Sequence, residues 1–146
     1  MSMAVDAREV ARILGGEKTL HTHVRNLADL ERVVADGLPV AALNEATMYV
    51  GGNRRRAGLL RDRIVPRATR SRRQRLKPAE SERVERLARV MALAEHVWEN
   101  REDAQEFLES NHPLLGGRAP LEVAETELGA RRVEDLLMKL EYSLPV

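Results

Sequence analysis

Residues 54–77 read RRRAGLLRDRIVPRATRSRRQRLK, and the parsing of the whole chain turns on that run. Ten arginines fall between Arg54 and Arg75 with one acid, Asp62, among them; with Lys77 the run carries a net charge of +10. Residues 54–62 place Ala57, Leu59 and Leu60 on one side of a helix. Ile64-Val65-Pro66 interrupts it, because Pro66 has no amide hydrogen and biases Val65 away from helical angles. A second helix is expected to start at Pro66 and run to about Leu76. Two short helices across a tight turn, the second packed with arginine, match the helix-turn-helix pattern.

The flanks are acidic, at net −2 over residues 1–53 and −7 over residues 78–146, so the overall charge of +1 hides a strong separation. A compact basic block between acidic, apolar-patterned segments points to a polyanion, and nucleic acid fits best. The bland alternative is a solvated face that keeps the chain soluble, but solubility does not require arginines placed after a proline-led helix start. Arginine suits the task because its planar fork grips a phosphate or the edge of guanine through two hydrogen bonds. Arg67, Thr69 and Arg70, near the helix start, are the candidates for base edges. Arg72, Arg73 and Arg75, with Arg54, Arg55 and Arg56 on the preceding helix, are the candidates for phosphate contacts.

Upstream, residues 4–14 read as a helix that Ser2 could cap and that Gly15-Gly16 stops. Residues 27–35 form a second helix and residues 39–50 a third, separated by Asp36-Gly37-Leu38-Pro39. Asn53 is placed to cap the helix that follows. Downstream of Lys77-Pro78, Val84, Leu87, Met91, Ala94 and Trp98 repeat at +3 and +4 along a long helix over 79–100. Shorter helices follow over 101–110 and 120–125. Thr126 caps a last helix to about Tyr142, before the apolar tail Ser143-Leu144-Pro145-Val146. The fold class is all-α, with a domain boundary expected between residues 1–77 and 78–146.

Several functions are set aside by what the sequence lacks. There is no cysteine, hence no disulfide or thiolate metal site. The histidines lack partners at metal-ligand spacing. No nucleophile motif or phosphate loop is present, so the chain is not expected to be an enzyme or to need a cofactor. Apolar residues reach 43% and aromatics only 3%, and charges break every apolar stretch too short to span a membrane. Residues 1–16 carry no apolar core of a secretory signal. A soluble cytoplasmic protein is expected. The apolar terminus, too short to bury itself in its own small domain, is expected to insert into a partner.

From residue 78 onward the sequence resembles the toxin-binding domain of Xre/MbcA/ParS-type antitoxins. The resemblance rests on Ala79-Glu80-Ser81-Glu82-Arg83, on the loop from Asn111 through His112-Pro113-Leu114-Leu115-Gly116-Gly117-Arg118-Ala119-Pro120 to Leu121, and on Glu141-Tyr142 and Pro145-Val146. Gly37-Leu38-Pro39-Val40 and the arginine-rich turn are similar to the Xre-like N-terminal domain of the same family. The turn departs from the family at Arg63, where glycine is common. The resemblance implies an antitoxin of a type II pair, a homodimer that restrains an NAD-consuming RES-domain toxin and represses its own operator. It also implies that Asn111, Gly116, Gly117, Arg118, Leu121, Tyr142, Leu144, Pro145 and Val146 face the toxin, with the tail near the toxin's active site. The alternative is a stand-alone dimeric helix-turn-helix regulator.

Overall fold

The computed structural model describes residues 5–142, and over them the chain is all-α, with ten α-helices, one 3-10 turn and no strand. The described residues form two compact units, residues 5–88 and residues 89–142.

The first unit holds α1 (Ala7–Ile13), α2 (Gly16–Leu20), α3 (Leu27–Ala35), α4 (Val40–Gly51), α5 (Arg54–Ile64), α6 (Arg67–Arg70) and the start of α7 (Pro78–Trp98). Side-chain caps set several boundaries. Asp6 caps α1 by accepting the Arg8 amide at 2.9 Å, and the cap proposed for Ser2 lies outside the described residues. Asn26 and Asn53 accept the amides of Asp29 and Arg56, each at 2.9 Å, which satisfies donors that a helix start leaves open. Gly15, with φ of 106°, follows the end of α1 where the stop was expected, and a further short helix, α2, starts at once. The core is aliphatic: Ile13, Leu14, Leu38, Leu43, Val50, Val65 and Val84 are fully buried. Leu59, expected inward, is 59% exposed, and Ala57 is the residue of α5 that enters the core.

The arginine block departs from its expected form. The helix that should have reached Leu76 ends at Arg70 after a single turn. Beyond it the chain runs beside the connector between α3 and α4, with Pro39 and Arg75 forming an antiparallel bridge. The Val40 amide donates to the Gln74 carbonyl at 2.9 Å, and the Leu76 amide donates to the Leu38 carbonyl at 2.8 Å. Leu76 is buried there. Burying that leucine and pairing four backbone groups outweighs prolonging an exposed, self-repelling arginine helix.

The first turn of α7 is fastened to the same place. Pro78 occupies its first position, and Glu80 reaches back to accept the Lys77 amide at 2.8 Å, as a capping box does. Ser81 is fully buried, and its hydroxyl accepts the Leu38 amide at 2.8 Å. These bonds explain why the two units divide within α7 and not at Lys77-Pro78.

The second unit contains the rest of α7, α8 (Arg101–Glu109), the 3-10 turn Pro113–Leu115, α9 (Pro120–Val123) and α10 (Glu127–Glu141). Val90, Met91, Leu93, Ala94, Ala104, Leu108, Ala130, Val133 and Leu137 supply its core. Asn100 caps α8 and Thr126 caps α10. Gly129 sits against the Val123 carbonyl so closely that a β-carbon would overlap it.

Candidate functional site

The structure sorts the nine basic-block candidates into two groups. Arg70, Arg73 and Arg75 are engaged within the fold. The Arg70 side chain is only 14% exposed, and its guanidinium donates to Asp62 at 2.6 Å and to the Val65 carbonyl at 2.9 Å, clamping the turn between α5 and α6. Arg73 meets Glu80 through two parallel bonds of 2.8 and 2.9 Å. Those bonds are the main reason the Glu80 carboxyl is held below its ordinary range, with burial opposing them. Arg75 donates to the Gly37 carbonyl at 2.6 Å. Arg54, Arg55, Arg56, Arg67, Thr69 and Arg72 are exposed.

One further arginine, half-buried and passed over in the sequence, lies beside them. Arg61 lines a cleft of about 430 Å³ with Arg54, Asn44, Glu45 and Met48. Its Nε is buried with no hydrogen-bond partner among the described residues. Arg54 and Arg61 are two helical turns apart on one face, so a 3.6-residue count along α5 carries the signal.

The second candidate surface is the loop between α8 and α9, which is ordered by its own backbone. The His112 amide donates to the Arg118 carbonyl at 3.1 Å, and the Gly117 amide donates to the His112 carbonyl at 3.0 Å. Gly116 and Gly117 take φ of 68° and 78°, in the region that favours glycine. His112 Nδ1 accepts the Leu114 amide at 3.1 Å and so caps the 3-10 turn. Leu115 anchors the loop in the core, whereas Leu114 stays 48% exposed. Asn111, Gly116, Gly117 and Arg118 are thus brought together at the surface, with Arg118 beside Glu122 at 3.3 Å and Leu121 half-buried just beyond. Tyr142, at the end of α10, is 52% exposed. Leu144, Pro145 and Val146 lie outside the described residues.

A small helical unit that displays a hydrogen-bonded loop and exposed apolar side chains has the makings of a protein-binding module. Residues 93–142 match the family model for the antitoxin Xre/MbcA/ParS C-terminal toxin-binding domain. The matched span takes in the loop, α8, α9, α10 and Tyr142. It supports a toxin-neutralising antitoxin role with a toxin as the partner. A search of curated proteins found no match to the chain. No helix among the described residues is long and apolar enough to cross a membrane.

Proposed function

We propose that the chain is the antitoxin of a type II pair: its second unit binds and silences a RES-type NAD-degrading toxin, and its basic block grips operator DNA as a homodimer in the cytoplasm. The match over residues 93–142 carries the first half of this proposal. Asn111, Gly116, Gly117, Arg118, Leu121 and Tyr142 make the contact, and Leu144, Pro145 and Val146 reach the toxin's active site. In support of the second half, Arg54, Arg55, Arg67 and Arg72 are exposed on the block whose net charge is +10. Arg61 adds a buried donor beside Arg54. Arg70 and Arg73 shape the turn and leave phosphate contact to the exposed arginines. The one-turn α6 offers little helix to a major groove, so the interaction relies on phosphates more than on base edges.

Co-expression with the adjacent reading frame tests the proposal. The neighbour alone should deplete NAD and stop growth, and the full chain should restore both. Deleting residues 142–146 should release the toxin while leaving DNA binding intact. A neighbour that is harmless alone, or a chain that binds promoter DNA and has no toxic neighbour, favours a stand-alone regulator.

A further inference from the structure

The sequence contains one tryptophan and one phenylalanine, and the fold of the second unit brings them to the same pocket. Trp98, at the end of α7, and Phe107, on α8, stand with ring centroids 5.8 Å apart. His112 meets Phe107 edge-on at 6.3 Å. Because His112 Nδ1 accepts the Leu114 amide, a neutral ring carries its proton on Nε2. Leu140 of α10 closes the apolar side of a cavity of about 360 Å³, and Asp103 and Glu106 of α8 supply its polar side. Trp98 is 40% exposed there, although it ends a stripe whose other members are largely buried.

The chemistry of this pocket is divided. Trp98, Phe107 and Leu140 supply apolar surface, and Asp103 and Glu106, exposed on the same helix as Phe107, supply two carboxylates. Among the described residues, neither the Asp103 nor the Glu106 side chain is ion-paired or hydrogen-bonded; the Asp103 amide is taken by the Asn100 cap, and the Ser110 hydroxyl by the Glu106 carbonyl. An occupant that satisfies both kinds of group has an apolar stem, a flat cationic head and hydrogen-bond donors. Arginine meets all three conditions: its methylenes lie along Leu140 and Phe107, its guanidinium stacks on Trp98, and its N–H groups reach the carboxylates. An apolar side chain would leave both carboxylates to water alone, and an anion would be repelled by them. Residues 143–146, Ser-Leu-Pro-Val, carry no base.

We infer that the Trp98–Phe107–His112 pocket is the receptor for an arginine side chain presented by the toxin. This inference rests on the antitoxin proposal for the partner, while the chemistry of the pocket stands on its geometry. Asp103, Glu106 and Trp98 are then specificity-determining residues that no sequence motif singles out.

Two arms test it on the full chain. In the first, emission of Trp98, the single tryptophan, is followed while N-acetyl-arginine amide is titrated against N-acetyl-norleucine amide. A saturable change with arginine in the roughly millimolar range, absent with norleucine and abolished in Asp103→Asn with Glu106→Gln, is expected. Equal responses to both probes, no saturation, or an unchanged response in the double variant overturns the inference. In the second arm, binding of the co-encoded toxin should weaken by about tenfold or more in the same variant, with circular dichroism showing retained helix. A variant that binds toxin as tightly as wild type overturns the inference and leaves the antitoxin proposal standing. If wild type binds no neighbouring toxin, the antitoxin proposal falls, and with it the pocket's assignment to a toxin; the probe arm still decides whether the pocket takes arginine.

Discussion

Ser81 shows how much one hydroxyl can decide. It lies in Ala79-Glu80-Ser81-Glu82-Arg83, residues that resemble part of a toxin-binding domain, yet its hydroxyl accepts the Leu38 amide inside the first unit. Ser81→Ala strands that buried donor, and a loss of about 1–3 kcal/mol is expected in urea or thermal unfolding. Ser81→Thr keeps the acceptor and should recover part of the loss. Glu80, one residue earlier, makes a prediction in pH. Its carboxyl is held below its ordinary value of 4.5, first by the bonds from Arg73. A carboxyl with a lowered folded-state pKa stabilises the fold above the unfolded value, and the stabilisation fades as pH falls through the folded value. Wild type should therefore unfold at a higher temperature than Glu80→Gln at pH 6. The gap should close as the pH falls through that lowered folded value. A gap that does not narrow at all in acid would show that the Arg73–Glu80 pair does not stabilise the fold.

Among the elements, those defined by local chemistry were open to sequence reasoning. The helix at Leu27–Ala35 has the expected ends, Asn53 and Thr126 cap as their side chains predict, and Pro66 breaks the helices where its ring requires. The failures have a common physical source. The stop of α6 at Arg70 depends on bonds from Gln74 and Leu76 to a connector more than thirty residues away, and helical periodicity carries no information about such pairs. The same holds for the site. The exposed arginines and the loop at Gly116-Gly117 were legible, whereas the inward roles of Arg70 and Arg73 and the pocket at Trp98 arise only when distant residues meet. Gly37 gives this pairing a test of its own. It sits at φ of 92°, and a β-carbon there would lie 2.6 Å from the Leu76 carbonyl. Gly37→Ala should cost about 1–2 kcal/mol from the left-handed backbone alone, and more from displacing Leu76. Hydrogen exchange should then show the Val40 and Leu76 amides opening before the helices do.

Across the whole chain, charge and matched family fall on different stretches: the basic block spans residues 54–77 and the toxin-binding match spans 93–142. If each stretch serves its own partner, the two activities can be removed one at a time. Arg54→Ala, Arg55→Ala, Arg67→Ala and Arg72→Ala change exposed side chains, so the combined variant should fold with an unfolding temperature close to that of wild type. Its affinity for duplex DNA should drop, and the slope of log K against log salt should shallow by about 0.9 for each phosphate no longer neutralised. Neutralisation of the co-encoded toxin should persist. Arg70→Ala with Arg73→Ala supplies the contrast, because it breaks the ties to Asp62, Val65 and Glu80. This pair should lower the unfolding temperature and weaken DNA binding together. An exposed-arginine variant that keeps full DNA affinity would remove the basic block from the operator interface. One that fails to neutralise while remaining folded would show that residues outside the matched span also touch the toxin.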